Sequence, residues 1–259
     1  MDTYFYLIMA CLIGFEFWHS KQTGEQMGLP QVATNMSCSL MIVLLEPLTD
    51  QSYLPILQWC LDHALWSQSG HSLLIQIPLA LILLDFMAYW LHRIQHHVPM
   101  LWSVHETHHQ ATEMNLSVGF RQSVFTFLVA WVVIVPHLFV GLSSQAIVIA
   151  LFIHRLYDAL MHTRMPISFG VFEMVFVSPR LHHVHHGYEA RYVNKNFANV
   201  FILFDRLFGT YHEPSQQCIK VGLTKNKGPI LNPFWAMIEP LIDLLKRKTL
   251  RSWLTFSKQ

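Results

Sequence analysis

Ten of the seventeen histidines in this chain fall into two short stretches, Asp85 to Gln122 and LHHVHHG, about 75 residues apart. In the first, His92 and His96 are spaced i,i+4, so both imidazoles leave one face of a helix. Asp85 and Tyr89 share that face, and Asp85 is a candidate to accept the second-nitrogen proton of a ligating histidine. Val98-Pro99 ends that helix, and a new turn presents His105, His108 and His109 on one face. The second stretch repeats this HxxHH spacing with His182, His185 and His186. His183 points elsewhere on the helix, as a supporting group, and Gly187 stops it. His162 closes an apolar segment and is a single-ligand candidate; Asp158, four residues earlier, is a weaker one. His19, His63, His71, His137, His154 and His212 stand alone and are expected to be structural or interfacial.

Imidazole-rich, thiolate-free ligation suits iron or zinc and disfavours magnesium or calcium. HETHH also matches the HExxH pattern of zinc peptidases, with Glu106 as the would-be general base. Such a site needs three protein ligands and one open position, and here far more histidines need explaining. The surplus suits two metals. A metal transporter would instead set its ligands at mid-membrane in broken helices, whereas these histidines gather at span ends.

The elements that must position them are apolar. The chain has 259 residues, 53% hydrophobic and 13% charged, about half the charged fraction usual in soluble domains. A net charge of +1 argues against a broad nucleic-acid footprint. The four cysteines are scattered, with no CxxC pair. Residues 4–18 form a first apolar segment with no basic region before it, which predicts a membrane segment rather than a removed signal peptide. A polar loop, HSKQTGEQMGLPQ, follows. Residues 33–48 form a second segment that ends at Glu46-Pro47, and 53–66 a weaker third. The strongest span is 72–91, with Pro78 inside it; 123–142 and 144–161 form a hairpin turning at Gly141. From 162 onward polar and apolar residues mix, as in a membrane-associated cap, and KRKTLRSW makes a basic amphipathic tail. Lys21 is the only Lys or Arg before Arg93 and sixteen follow, so the positive-inside rule puts the histidine-rich face and the C-terminus in the cytoplasm.

HRIQH, HETHH and HHVHH, in that order between apolar spans, resemble the fatty acid hydroxylase/sterol desaturase superfamily of integral-membrane di-iron enzymes. DFMAYWLHR, PMLWSVHETHH and FDRLFGTYHEP look like its signatures. NLSVGFRQS and SPRLHHVHHGYEARYVNKNFANVFILFDRLFGTY look most like the alkylglycerol monooxygenase branch. The resemblance implies iron ligation by His92, His96, His105, His108, His109, His162, His182, His185 and His186, with dioxygen as oxidant and a lipid as substrate. Asp85, His97, Asp158 and His183 remain as supporting groups or additional ligands. His97 departs from the branch pattern, which carries Glu there.

The expected fold is an all-α integral membrane protein: a bundle of about four to six transmembrane helices with a cytoplasmic, histidine-rich di-metal cap. Residues 1–80 are N-terminal membrane segments, 81–215 the catalytic region and 216–259 a membrane-associated basic tail. The expected activity is oxidation of a C–H bond in a fatty-acyl, sterol or ether lipid, by hydroxylation or desaturation. The alternative is a membrane zinc hydrolase using HETHH. With no GxGxxG fingerprint, electrons must come from a separate donor, whether cytochrome, ferredoxin or reduced pterin. A compact chain ending TFSKQ, without a retention signal, points to a bacterial inner membrane.

Overall fold

The computed structural model describes residues 2–65, 72–215, 219–223 and 229–246. His71, Cys218 and the basic stretch after Lys246 lie outside the described residues. Among the described residues there is no strand, only two isolated bridges that pair Phe176 with Phe201 and Gly187 with Val221.

Helix α1 spans Asp2–Gln22, running past the apolar segment through His19 and Lys21. The Glu16 carboxylate explains why this helix packs inward. It accepts from Leu116 N at 2.8 Å, Thr163 Oγ1 at 2.8 Å and Arg164 N at 2.6 Å. Helix α2, Leu29–Asp62, corrects the expected break at Glu46-Pro47, because it is one helix across both apolar segments. A proline removes one ladder bond and leaves the others in place, and an apolar helix tolerates that loss.

Helix α3, Leu73–His97, begins where Ser72 Oγ accepts from Leu74 N and ends at Val98. Val98 is extended (φ −104°, ψ 113°) because Pro99 follows, and Pro99 opens α4, Pro99–His109. The chain thus turns between His97 and His105 without losing helical register on either side. A hairpin of α5 (Phe127–Val140) and α6 (Ser144–Met161) follows the 3-10 turns Leu116–Phe120 and Val124–Thr126. Gly141 at φ 90° closes α5, taking the left-handed position a glycine reaches without strain. Beyond it come α7 (Pro179–His186), α8 (Leu203–Leu207) and α9 (Pro233–Leu245).

Helix α3 is the centre of the packing: α4, α5 and α6 all lie against it, and α9 covers α4. Tyr89, Met161, Val177, Leu181, Phe197 and Ile202 form the core beneath the histidines. Helices α3 and α6 are long and apolar enough to cross a membrane. Leu74, Ile75, Ile82 and Val148 project outward from them, as lipid-facing side chains would.

Arg121 is the largest fully buried side chain among the described residues. It donates to Thr107 O on α4, to Oε1 of Gln110 at the end of that helix, to Asn35 Oδ1 on α2, and to Ile230 O. Its planar fork of donors therefore holds the histidine-bearing helix against the bundle.

Candidate metal centre

Nine imidazoles converge in two adjoining groups. The first is His92, His96, His105, His109 and His185; the second is His108, His162, His182 and His186. Within each group the ligand nitrogens all lie within 4.8 Å of one another. Three helices supply the first group, since α3 gives His92 and His96, α4 gives His105 and His109, and α7 gives His185. Helices α4 and α7 also supply the second, joined by His162 at the end of α6. The two HxxHH runs are therefore interleaved: each sends residues to both groups. Adjacent positions such as His108 and His109, or His185 and His186, point about 100° apart on a helix and so reach different groups.

His109 is the hub of the first group. Its Nε2 lies 3.1 Å from His96 Nε2, 3.1 Å from His105 Nε2 and 3.0 Å from His185 Nε2. Its ring stacks on His186 of the second group, with centroids 4.6 Å apart. In that second group His162 Nε2 lies 3.1 Å from His108 Nε2 and 3.0 Å from His182 Nε2, which is 3.2 Å from His186 Nε2.

Backbone carbonyls orient three of the rings. His92 donates from Nδ1 to Phe197 O at 2.7 Å, His185 to Lys195 O at 2.9 Å and His162 to Asp158 O at 2.8 Å. Each bond commits the Nδ1 proton and turns a bare Nε2 lone pair inward. The His92 Nε2 atom is buried with no hydrogen-bond partner. Burial pushes His105, His108, His109, His182, His185 and His186 well below the usual histidine range, and neighbouring imidazoles add to the shift. Neutral rings with lone pairs facing one another repel, and a cation between them removes that repulsion. The donor set thus fits two imidazole-ligated transition metals.

The other candidates fall elsewhere. His97 is exposed and bonds Arg93 O at 2.6 Å. His183 bonds Thr163 O at 2.9 Å, outside both groups, and burial lowers it to about 4. Asp158 contributes its carbonyl to His162. Asp85 corrects the sequence reading, since no histidine of either group reaches it. Its oxygens accept from Val200 N, Phe201 N and His154 Nε2, at 3.0, 2.7 and 3.1 Å. The reason is distance, because seven residues of helix separate it from His92 by about 10 Å. His154, expected to be structural or interfacial, is the partner it finds. His105 and His109 of HETHH share their group with three further imidazoles, a crowding unlike a three-ligand hydrolase site.

The residues that sequence reasoning missed lie in the loop after α7. Asn194 and Asn196 take left-handed backbone, φ 60° and 51°. Asn196 Nδ2 donates to Leu181 O and His212 O, and its Oδ1 accepts from His212 N. It sits between the two carbonyls that orient His185 and His92. Asp205, raised to about 6 by burial, accepts from Phe197 N, Ala198 N and Thr210 Oγ1. Asp85 pins the same loop from the other side. The paired asparagines of VNKNF were the available signal, since Asn is the non-glycine residue that most readily takes that backbone. Asn196→Ala would strain the backbone and drop three side-chain bonds. Metal affinity is expected to fall by ~10–100-fold, the usual cost of losing an outer-sphere support. Metal titration of the stripped protein measures it, with Asn196→Gly, free of backbone strain, separating the two causes.

The family model for fatty acid hydroxylases matches residues 77–210, a stretch that contains all nine histidines. Human alkylglycerol monooxygenase is 36% identical over 141 residues, which cover 54% of this chain and 31% of the human protein. An ornithine lipid hydroxylase of Rhizobium tropici is 24% identical over 165 residues, 63% of this chain and 49% of that protein. A Delta(7)-sterol 5(6)-desaturase of Aspergillus fumigatus is 29% identical over 156 residues, 57% of this chain and 40% of that protein. All three names denote oxidoreductases. The chain spans about a third of the length of the alkylglycerol monooxygenases it matches. No solved structure matches.

Proposed function

The chain belongs to the fatty acid hydroxylase family, in its alkylglycerol monooxygenase-like branch, and on that premise we propose that it is an integral-membrane di-iron enzyme that uses dioxygen to oxidise a C–H bond of a lipid. The observation that carries this reading is the convergence of nine imidazoles into two groups. Iron held there would supply the oxidising power that an unactivated C–H bond requires. The protein's own part is to hold, orient and shield. His92, His96, His105, His109 and His185 would hold one ion, and His108, His162, His182 and His186 the other.

A cavity of about 630 Å³ supports a lipid substrate; Phe5, Phe120, Phe127, Leu151 and Phe152 are among its lining residues. That volume is within the range of sites that enclose a small molecule. Gln122 and Asp158 also line the cavity. The Gln122 amide lies 3.4 Å from His108 Nδ1, and Asp158 O receives the His162 Nδ1 proton. A hydrocarbon chain in this cavity would lie close to the second histidine group. Gly119 matters for that proximity: a Cβ there would sit 3.2 Å from Ala159 Cα and 3.6 Å from His162 Nδ1.

A membrane bundle with the histidine-rich face in the cytoplasm follows from the Lys and Arg distribution, and electrons would come from a separate donor. The substrate is a fatty-acyl, ether or sterol lipid, and the product an alcohol or an alkene. Elemental analysis and Mössbauer spectroscopy of protein from iron-supplemented cells provide the test. Two irons per chain, and dioxygen uptake that depends on added alkylglycerol or phospholipid, are expected. One zinc with no iron bound would overturn the proposal and favour the hydrolase.

A further inference from the structure

Beside the last turns of α3 the cap carries an outward apolar face. Val171, Phe172 and Met174 of the 3-10 turn Gly170–Met174 are 71%, 65% and 64% exposed. Leu203 and Leu207 of α8 are 46% and 74% exposed. The two segments form one unit, joined by the Phe176–Phe201 bridge and by an Arg206 bond to Glu173 O at 3.2 Å. The inner face of α8 lies on α3, with the Phe204 ring 5.5 Å from Phe86 and the Phe208 ring 4.9 Å from Trp90.

Four side chains next to this face mark a boundary between apolar and aqueous surroundings. The Arg93 guanidinium lies 5.3 Å over the Trp90 ring and donates to Phe208 O; Arg206 lies 3.8 Å over Tyr211. Amphipathic rings and snorkelling arginines favour the headgroup level of a bilayer. The turn also satisfies its own backbone, with Phe172 N, Val175 N and Phe176 N all bonded within it, which is what entry into an apolar medium demands.

We propose that Gly170–Met174 and the outer face of α8 lie in the acyl region of one leaflet, as an in-plane membrane contact flanking α3. The proposal rests on the reading that α3 spans the membrane. Its occupant is lipid rather than a protein partner, because the face continues the flank of α3 and is bordered by that aromatic and arginine belt. The contact also bears on the metal centre. Glu173 accepts from Ser178 Oγ at 2.6 Å and Arg180 Nε at 2.8 Å, fastening the turn to the start of α7. The leaflet thereby sets the height of the helix that carries His182, His185 and His186.

The test uses nitroxide labels on Phe172→Cys and Leu207→Cys. Cys11 and Cys218 are replaced by Ser, and the full chain is placed in nanodiscs of phosphatidylcholine and phosphatidylglycerol. Leu79→Cys on α3 is the lipid reference and Lys220→Cys the aqueous one. Collision with oxygen should exceed collision with a soluble nickel chelate at Phe172 and Leu207, as at Leu79. If both labels behave like Lys220 while Leu79 meets lipid, the face belongs to water or to a protein and the proposal fails. If Leu79 also behaves like Lys220, the membrane reading fails and the proposal with it.

Discussion

His109→Ala is expected to strip metal from the protein and take lipid oxidation to background. The His109 Nε2 atom lies within 3.1 Å of three other imidazole nitrogens, and its ring stacks on His186 of the second group. Removing it opens the first group at its centre and loosens the second. Loss of an outer-sphere support typically costs 10–100-fold, so loss of this residue should exceed ~100-fold in activity. Metal per chain and product formation are measured together. His97→Ala, two positions from Gln95 on the same helix but exposed and outside both groups, should keep its metal. Glu106→Gln separates the chemistries. A hydrolase would lose its general base and its activity with metal retained, whereas the di-iron reading expects oxidation to persist. A His109→Ala protein that keeps its full metal content would sink the assignment of this group as a metal site.

Chelation should unfold the protein more readily than any single substitution outside the site. The histidines are buried neutral rings whose lone pairs meet, a poor core without a cation. A ligand present at about a thousand times its dissociation constant stabilises by ~4 kcal/mol. For a chain of this size that amounts to a fall of ~10 °C in thermal midpoint on metal removal. The pH dependence has a definite sign. In the metal-free fold six of the seven histidines on α4 and α7, all but His183, sit well below the usual histidine value of about 6.5, whereas in the unfolded chain they titrate near it. The unfolded state then binds more protons, so stability is greatest above about pH 6.5 and falls as pH drops below it. Protons also compete with metal for the same nitrogens, so the metal-loaded form should lose its advantage over the same interval. Melting curves with and without chelator, from pH 8 to 5, check both. A midpoint unmoved by chelation would mean that the histidine groups contribute no metal-linked stability.

How far the sequence could be read follows from what each feature depends on. Helices α3 and α6 were legible because apolar composition and length are local properties, and Pro99 and Gly141 mark the ends of α3 and α5 through backbone chemistry alone. The break expected at Glu46-Pro47 was not found, because a proline's cost depends on what holds the rest of the helix, and α2 runs through. The Asp85 role was misjudged for a similar reason. Sharing a helical face with His92 says nothing about reach along the axis, and the amides of Val200 and Phe201 come to Asp85 from more than a hundred positions away. Arg121 and Glu16 left no mark in composition, yet their bonds fasten α4 and α1 to the bundle.

The sequence by itself determined the donor type, the spacing of histidines on each helix and the apolar character of the elements beneath them. These depend on side-chain identity and a period of 3.6 residues, which need no neighbours. Tertiary structure alone decided how the rings are shared. Only the packing of α3, α4, α6 and α7 sends His105 and His108 to different groups, and brings His162 to meet His182. It also brings Lys195 O and Phe197 O against His185 and His92, fixing which nitrogen carries the proton. A backbone carbonyl has the same chemistry at every position, so its role as an orienting group cannot be written in residue type. It arises where a loop held by Asn196, Asp205 and Asp85 presents that oxygen to a particular ring.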